Sequence, residues 1–451
     1  MQLNTNIAII GSGFSAVALG LNLIEMLPPT ANVSLVGRAV RQGRGIAYST
    51  AADCHLLNVP AGRMSLFADR PNHFVRWLTE SGFCWTSDDF VPRKIYGRYV
   101  SDCLEAARRR TANRAALSLI DAEALSAEAA ADGSLVFRLN DGRILSAHSA
   151  ALCTGAGTNR LPVPAEAVSP DVLPLVVNDP WKSAWWERMP DKADVVFIGT
   201  GLTMVDQCLL LTRRGFKGTM HAVSRRGLLP QAHLSRRSDP ADPVVGAGES
   251  QVSDMLRRLR AQAAGMPDWR AAMDGLRPVT QALWKGMDGD QRGRFLRHAA
   301  AFWNIHRHRM APEVAREIDA LRQSGQLVIH RGRPSAIRGD KTGVIVDVVG
   351  VNPVALPAGM VVNCAGLERC VVGTSPLLAD LARNGLVQPD PLGLGIAVDD
   401  DSTVITDREV AHGRLYAIGP LTVGRHWEIS AVPDIRVQAR SVAECISAQV
   451  R

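Results

Sequence analysis

The chain has 451 residues, of which 46% are hydrophobic and 21% are charged, an ordinary globular composition with material for a large core. A chain of this length predicts about two to three domains. The net charge of +7 includes arginine-rich stretches at 108–110 and 257–260, which lack the interleaved aromatic residues of single-strand nucleic-acid binders. Because helix surfaces and anionic cofactor phosphates account for this charge, we expect no nucleic-acid partner.

Neither a membrane nor an oxidising compartment is indicated. Residues 1–10 have no basic region and no A-x-A cleavage site, so we expect no signal peptide. No uncharged apolar run approaches the roughly 18–20 residues of a spanning helix. The eight cysteines form no C-x-x-C motif, which argues against a disulfide framework and a dithiol reductase. The sequence therefore predicts a cytoplasmic protein with reduced thiols.

The N-terminal segment predicts a strand, a helix and a second parallel strand, with a turn typical of dinucleotide binding. Gly11 permits the tight bend, Gly13 lets the backbone approach a pyrophosphate, and Ala16 keeps the helix close to the strand. The pyrophosphate meets the free N–H groups and the positive dipole end at the start of the helix. The cofactor-binding candidates of this turn are Gly11, Gly13, Phe14, Ser15 and Ala16.

The acidic residue that usually binds the adenosine ribose is missing after the second strand. Gly37 and Arg38 stand there instead, so we expect the ribose to be held by the Arg38 side chain or by backbone groups. Further along, apolar runs around an Asp-Gly pair predict a hairpin over 135–145. Another buried strand ends at Thr154 and Gly155, which we add to the candidates for cofactor binding.

A second unit of the same kind follows a proline-rich connector. The apolar strand at 194–198 leads into Gly199, Gly201, Leu202 and Thr203, our candidates for a second dinucleotide. The usual third small residue of the turn is replaced by methionine at position 204, which predicts a helix slightly further from its strand.

The ribose position of the second unit is basic. Ser224, Arg225 and Arg226 end the following strand, and arginines there favour the 2′-phosphate of NADPH over NADH. Two solvated surface arginines are the structural alternative. A chain that binds two dinucleotides transfers hydride from a nicotinamide to a second cofactor, which is usually a flavin. We therefore expect FAD in the first unit and NADPH in the second.

We predict an α/β protein with two Rossmann-like domains, in which the NADPH domain is inserted into a discontinuous FAD domain. The FAD domain takes residues 1–165 and 356–451, and the NADPH domain takes residues 166–355 with a helical insertion at about 250–324. Buried strands at 360–364 and 415–419 belong to the second FAD segment in this division.

Several blocks resemble a bacterial family of FAD/NAD(P)-binding proteins. They span nearly the whole chain, at 43–49, 56–65, 92–99, 199–206, 224–230, 294–298, 303–312 and 419–428. The order of parts is also distantly similar to that of N-hydroxylating flavin monooxygenases, which act on the amines of ornithine, lysine and related substrates. The resemblance implies a loop beneath the flavin ring, and it adds these candidates for FAD binding: Asn58, Val59, Pro60, Arg63, Met64, Ser65 and Gly419.

The sequence departs from related monooxygenases in two motifs. The F-x-G-x-x-x-H fingerprint is absent, and residues 178–181 read Asn-Asp-Pro-Trp in the comparable stretch. The Gly-Asp pair that contacts ribityl in many flavoproteins reads Gly419-Pro420. The residues that bind the amino-acid substrate in those enzymes cannot be matched one by one in this sequence. The resemblance therefore implies the cofactors but does not identify the substrate.

The segment 294–312 concentrates the polar candidates for catalysis. We select His298, Asn304 and His306 as groups that hydrogen-bond the nicotinamide, the oxygenated flavin or the substrate. Histidines that cap helices or bond carbonyls are the structural alternative. His306 and His308 are two apart and point to different faces of a helix, so we expect no metal there. For the tryptophans at 181, 185 and 186 we expect core packing, with a pocket wall as the alternative.

We therefore expect an NADPH-dependent FAD monooxygenase that oxygenates a nucleophilic heteroatom, an amine nitrogen above all, of a small substrate through a flavin C4a-hydroperoxide. One alternative is an FAD-dependent NAD(P)H oxidoreductase without oxygen transfer. The other is a nucleotide-binding redox sensor. The expected partners are a small substrate and molecular oxygen, with no nucleic acid and no membrane, and a homo-oligomer stays open.

Overall fold

A computed structural model describes residues 5–39, 43–109, 115–157, 160–182, 184–189, 192–235, 238–246, 248–249, 251–341, 343–366, 368, 370–408 and 411–450. Residues 1–4, and Arg110 of the first arginine-rich stretch, lie outside these ranges. The chain divides into two compact units. The first comprises residues 1–51, 59–157 and 369–451, and the second comprises residues 52–58 and 158–368.

The strands in chain order are β1 (Asn6–Ile10), β2 (Asn32–Val36), β3 (Ala116–Ile120), β4 (Ala124–Ala129), β5 (Leu135–Leu139), β6 (Ile144–Ala147), β7 (Ser149–Leu152), β8 (Val176–Val177), β9 (Val195–Ile198), β10 (Met220–Ser224), β11 (Leu327–Arg331), β12 (Arg333–Asp340), β13 (Gly343–Val349), β14 (Val354–Ala358), β15 (Met360–Asn363), β16 (Thr403–Ile405) and β17 (Ala411–Ala417).

The helices in chain order are α1 (Phe14–Met26), α2 (His73–Glu80), α3 (Arg93–Arg109), α4 (Leu202–Arg213), α5 (Val252–Ala264), α6 (Trp269–Gly275), α7 (Thr280–Gly286), α8 (Gly289–Arg294), α9 (Ala300–Arg307), α10 (Pro312–Gln323), α11 (Pro376–Arg383) and α12 (Val432–Val450). Phe295–Ala299, between α8 and α9, is a π-helical turn. Within the described residues, no helix is both long enough and apolar enough to cross a membrane.

The first unit is built on a sheet of order β16-β17-β7-β1-β2-β3. All neighbours in it are parallel except the edge pair of β16 and β17. Ten of the thirteen residues of α1 are buried, because the helix is covered by the sheet on one side and by α12 on the other. Strands β4, β5 and β6 form a separate antiparallel sheet, which confirms the predicted Asp-Gly hairpin between β5 and β6.

The second unit repeats this plan. Its parallel sheet has the order β11-β10-β9-β15-β8, and β12, β13 and β14 form an antiparallel sheet that lies between β11 and β15 in the chain. The helical insertion, α5 to α10 with the π-turn, runs between β10 and β11. Two parallel sheets with helical crossovers confirm the predicted α/β class.

The position of β15 differs from the sequence-based division. A boundary after residue 355 placed this strand in the second FAD segment, whereas β15 pairs with β9 along Val195–Ile198 and so belongs to the second unit. The reason is that β15 in this unit occupies the place of β7 in the first, where the strand after the antiparallel sheet lies beside the strand that precedes the glycine turn. Residues 52–58 also belong to the second unit.

The tryptophan cluster of the second unit contributes to its core. Trp185 is fully buried, packs edge-on against Phe197, and donates its indole N–H to the Oε1 atom of Gln207 at 3.0 Å. The Arg214 guanidinium lies 4.7 Å from the ring centre of Trp186. Core packing, the first of the two expectations for these residues, describes Trp185.

Candidate cofactor-binding sites

The glycine turn of the first unit is closed tightly around Gly11. Its φ of +136° lies outside the range of ordinary side-chain-bearing residues, and an added Cβ would be 2.2 Å from the carbonyl oxygen of Cys153. Its N–H donates to the carbonyl of Val36 at 2.7 Å. Gly11 therefore fixes β1, β2 and the end of β7 together at one point, and only glycine fits there.

Gly13 and the start of α1 present an open backbone. Gly13 is the N-cap residue of α1 and has no side chain with which to accept hydrogen bonds from the N–H groups of Phe14, Ser15 and Ala16. The nearest atom to a Cβ on Gly13 would be the Gly45 Cα, at 3.6 Å. This combination of bare N–H groups and a positive helix end fits an anionic pyrophosphate.

The remaining FAD candidates of this sheet edge meet the same turn. Thr154 and Gly155 directly follow Cys153, whose carbonyl oxygen faces Gly11, and Gly155 has a φ of +71° with open space around it. Gly419, with a φ of +78°, lies against Ser15, since a Cβ there would be 2.7 Å from the Ser15 hydroxyl oxygen. The structure thus brings residues from three distant parts of the sequence to the carboxyl ends of parallel strands, where dinucleotides bind.

Arg38 is engaged by a carboxylate from the next strand. Its Nε donates to Oε1 of Glu123 at 2.6 Å, and the side chains are 63% and 46% exposed. Glu123 follows β3, and the two residues are 85 apart in sequence. The sequence pattern did not reveal this pairing of Glu123 with Arg38, just after β2. The hydrogen bond to Glu123 raises the pKa of Arg38, so the guanidinium group stays charged.

The segment expected beneath the flavin is largely buried. Met64 and Ser65 are buried, and a short 3₁₀ turn spans Ala61–Arg63 after Pro60. The Ser65 hydroxyl donates to the backbone carbonyl of Arg70 at 2.7 Å, so its proton is used in a hydrogen bond within the protein. Val59 begins the portion of this loop that belongs to the first unit, together with Arg63.

An aromatic group lies beside the start of α1. The ring centres of Phe14 and Tyr48 are 6.5 Å apart, and those of Tyr48 and Tyr96 are 4.7 Å apart. Burial raises the pKa of Tyr48 to about 12 and also raises that of Tyr96, so both are neutral phenols. The buried Tyr96 hydroxyl has no hydrogen-bond partner among the described residues. An orphaned donor here is consistent with a polar group that a bound cofactor or water would supply.

The turn of the second unit has the same geometry. Gly199 has a φ of +115°, and its N–H donates to the backbone carbonyl of Val223 at 2.8 Å. A Cβ added to Gly199 would be 2.3 Å from the carbonyl oxygen of Cys364. Gly201 caps α4 without a side-chain hydrogen bond, and a Cβ there would meet nothing within 4 Å. Leu202 and Thr203 supply the next N–H groups of this helix start. The open space at Gly201 fits a pyrophosphate at close approach.

The basic residues after β10 take different roles. The Arg226 guanidinium donates to the carbonyls of His298 at 3.0 Å and Arg297 at 2.9 Å, and it lies 4.8 Å from the ring centre of Phe302. Arg225 is exposed. Ser224 is held in the turn, where its hydroxyl oxygen accepts from the Gly227 N–H at 3.1 Å and lies 2.9 Å from the Thr200 hydroxyl.

The three catalytic candidates lie on the π-turn and on α9. His298 is exposed on the π-turn, an irregularity that is frequent at functional sites. His306 uses its Nδ1–H to donate to the Phe302 carbonyl at 2.7 Å, which is the carbonyl-bonding role given as the structural alternative. Asn304 is half-buried. Within the described residues, no hydrogen bond joins these three side chains.

Sequence reasoning missed two histidines that hold the loop 52–58 within the second unit. His55 is buried and its Nε2 lies 3.0 Å from the carbonyl oxygen of Asp206. The Nε2 of His233 lies 3.1 Å from the carbonyl oxygen of Asn58, across 175 residues of sequence. No spacing pattern could have revealed contacts of this range. His233 thus anchors Asn58, the first residue of the segment expected beneath the flavin.

The cysteine side chains form no disulfide bonds. Burial raises the pKa of the Cys153, Cys208 and Cys364 thiols. Among the described residues, no group of three or more histidine, cysteine or acidic side chains could hold a metal ion.

Residues 8–157 match the family model described as FAD-NAD(P)-binding. No curated protein is a significant match in sequence. Among solved structures, the ornithine N-hydroxylase of Kutzneria sp. 744 is 17% identical, with a TM-score of 0.66 over 99% of both chains. The L-lysine 6-monooxygenase of Pseudomonas syringae is 15% identical, with a TM-score of 0.65 over 99% of both chains. The thioredoxin reductase of T. acidophilum is 11% identical, with a TM-score of 0.52 over 98% of this chain and 97% of that one.

At identities this low, the likeness establishes the fold. It agrees with the two glycine turns, each at the carboxyl edge of its own parallel sheet, and with the family match to the first of them. Residues 8–157 therefore match an FAD-NAD(P)-binding domain, and the chain has the fold of flavoproteins with two dinucleotide-binding domains.

Proposed function

We propose that the protein is an NADPH-dependent FAD monooxygenase that oxygenates the amine nitrogen of a small substrate. The observation that carries this proposal is the end-to-end correspondence of fold with the ornithine N-hydroxylase, over 99% of both chains, together with a complete glycine turn in each unit. An ornithine hydroxylase, a lysine monooxygenase and a cadaverine monooxygenase are all among the similar structures, so we infer a basic amino acid or diamine as the substrate class.

A disulfide reductase is the competing activity on the same fold, because a thioredoxin reductase is also similar. That chemistry requires a pair of thiols that can cycle through a disulfide. The chain has no C-x-x-C motif, and none of its eight cysteines forms a disulfide. Burial raises the pKa of Cys103 to about 12 and of Cys153, Cys208 and Cys364 as well, which keeps these thiols protonated and poorly nucleophilic. The cysteines therefore favour oxygen over a disulfide as the electron acceptor, and their reduced state fits the cytoplasm.

The residues of the first turn would hold FAD. Gly13 and the N–H groups that open α1 would bind its pyrophosphate, and Gly419 would lie beside it through its contact with Ser15. FAD, when bound, supplies two-electron redox chemistry and the activation of molecular oxygen. The loop from Asn58 to Ser65 would support the ring system, with its N-terminal end fixed by His233.

The second turn would hold NADPH. Gly201 and the start of α4 would bind the pyrophosphate, and Arg225 would contact the 2′-phosphate. Arg226 would connect this site to the π-turn through the carbonyls of residues 297 and 298, which orients the segment that carries His298. We assign hydrogen bonding of nicotinamide or substrate to His298 and Asn304, and the fixing of α9 to His306.

Coupling between NADPH oxidation and amine hydroxylation tests the proposal. Purified holoprotein would be mixed with NADPH, oxygen and each of ornithine, lysine and cadaverine, and NADPH loss, peroxide and hydroxylamine product would be measured together. We expect at least one amine to give hydroxylamine in near-stoichiometric ratio to NADPH. The control is the Gly289→Ala variant, which we expect to give the same ratio as the wild type. A Cβ at Gly289 meets nothing within 4 Å, and this glycine lies in α8, outside both glycine turns.

Two other outcomes would contradict the proposal. Rapid NADPH oxidation that yields peroxide or reduces quinones, with no hydroxylated product from any amine, indicates an oxidoreductase without oxygen transfer. Negligible flavin reduction by NADPH indicates a nucleotide-binding redox sensor.

A further inference from the structure

The carboxyl end of β11 brings another arginine to the site where β10 ends. The two strands are parallel, and Ser224 is the register partner of Arg331. The N–H of Gly332 donates to the carbonyl of Ser224 at 3.0 Å, which continues the pairing beyond the strand. Because register partners in parallel strands place their side chains on the same face of the sheet, Arg331 and Ser224 share a face.

The turn after β10 folds over the base of Arg331. Gly227 has a φ of +62°, and a Cβ on it would be 3.3 Å from the Cβ of Arg331. The Gly227 N–H donates to the Ser224 hydroxyl oxygen at 3.1 Å, which fixes the turn. The chain from Arg225 to Gly227 therefore passes directly beside Arg331, although the two segments are separated by the whole helical insertion.

These arginines differ in what their guanidinium groups already bind. Arg226 is committed to two backbone carbonyls, at 2.9 and 3.0 Å, and to the face of Phe302. Arg225 and Arg331 are both exposed, and neither guanidinium group has an ion pair or a hydrogen bond with the residues that the structure describes. Elsewhere in the unit, exposed arginines such as Arg213 and Arg322 pair with a carboxylate.

We propose that Arg331 is a specificity-determining residue that binds the 2′-phosphate of the nicotinamide cofactor together with Arg225. The inference deepens the NADPH site of the proposed function and rests on it. A phosphate monoester carries close to two negative charges and three acceptor oxygens, so it takes more than one guanidinium. Two uncommitted arginines on adjacent strand ends supply that charge, whereas Arg226, already hydrogen-bonded to two carbonyls, positions the helical segment.

Binding of adenosine phosphates to the holoprotein tests the inference without turnover. The probes are 2′,5′-ADP, which carries the 2′-phosphate, and 5′-AMP, which lacks it, and both are titrated calorimetrically. We expect Arg331→Gln to weaken 2′,5′-ADP binding by about tenfold or more, the loss of one charge-assisted contact, and to change 5′-AMP binding by less than about twofold. We expect Arg331→Lys to be intermediate, because it keeps the charge without the planar fork.

Arg257→Gln is the matched control, since it removes one exposed arginine from α5 of the same unit, and we expect both probes to bind it as they bind the wild type. If Arg225→Gln abolishes the preference for 2′,5′-ADP and Arg331→Gln leaves it intact, the role of Arg331 is overturned while the NADPH assignment stands. If Arg331→Gln weakens both probes equally, Arg331 acts on the whole site and not on the 2′-phosphate. If the wild type binds both probes equally, the NADPH assignment fails, and this inference with it.

Discussion

At the scale of single residues, the two glycines of one turn differ in what surrounds them. Gly199 has a φ of +115°, and a Cβ added to it would lie 2.3 Å from the carbonyl oxygen of Cys364. A Cβ on Gly201 meets nothing within 4 Å. We therefore expect Gly199→Ala to lower the free energy of unfolding by at least about 2 kcal/mol, because it forces both strain and overlap. We expect Gly201→Ala to change it by less than about 0.5 kcal/mol and yet to raise the KM for NADPH about tenfold, since a methyl group occupies the path of the pyrophosphate.

Urea unfolding and steady-state kinetics measure these two effects on the same samples. Gly289→Ala serves as the control, because its Cβ also enters open space but lies on α8. A Gly201→Ala variant with an unchanged KM for NADPH would show that the cofactor backbone does not approach this turn.

At the scale of elements, a histidine pair joins β10 to β11. The Nδ1 of His221 lies 3.0 Å from the Nε2 of His330, and burial, followed by the charge of His221, lowers the pKa of His330 below 6.5. The folded state therefore prefers neutral His330, while the unfolded chain takes up a proton near pH 6.5. The contribution of neutral His330 to the free energy of unfolding is therefore complete above pH 6.5. It is lost as the pH falls from there through the lowered pKa of His330 in the folded state.

We expect the wild type to lose stability between pH 7.5 and 5.5, and His330→Gln to lose less over the same interval. The difference is about 0.5 kcal/mol, a small value because the half-exposed ring is partly screened by water. Urea midpoints at the two pH values measure it. The exposed His298 provides the control, and His298→Gln should follow the wild type; equal acid losses in wild type and His330→Gln would refute the role of this pair.

At the scale of the whole molecule, the two units repeat one plan. In each, a parallel sheet carries a glycine turn whose first glycine meets a cysteine carbonyl, at Gly11 and Cys153 and again at Gly199 and Cys364. Because each turn belongs to its own unit, we expect a substitution in one turn to reduce the stabilisation by one cofactor and to leave the stabilisation by the other unchanged. A ligand at one hundred times its Kd stabilises by about 2.7 kcal/mol, which raises Tm by roughly 5 °C or more for a unit of this size.

The matched variants are Gly13→Ala and Gly201→Ala, because neither added Cβ would come closer than 3.6 Å to another atom. We expect Gly13→Ala to lose the rise in Tm on FAD addition to apoprotein and to keep the rise on NADP⁺ addition. We expect Gly201→Ala to keep the rise on FAD addition and to lose about half of the rise on NADP⁺ addition, because tenfold weaker binding leaves about 1.4 of the 2.7 kcal/mol. Loss of both responses in either variant would contradict two separate sites.

The sequence by itself determined the local units. Each strand–glycine–helix unit is encoded within about 30 consecutive residues, because apolar runs, glycines with special backbone angles and helical periodicity are local properties. The strands at 7–10, 33–36 and 194–198 and the hairpin over 135–145 are found in the structure as expected. The first glycine turn and the FAD-NAD(P)-binding assignment followed from the same signals.

Only the tertiary structure decided which segments meet. The strand at 360–363 reads as a buried strand in sequence, yet its place beside β9 depends on the order of the whole sheet. Glu123 reaches Arg38 across 85 residues, and His233 reaches Asn58 across 175. Arg331 joins the end of β10 because parallel register, and not sequence distance, sets its neighbours. Such contacts arise from the packing of distant elements, for which no single segment carries a pattern.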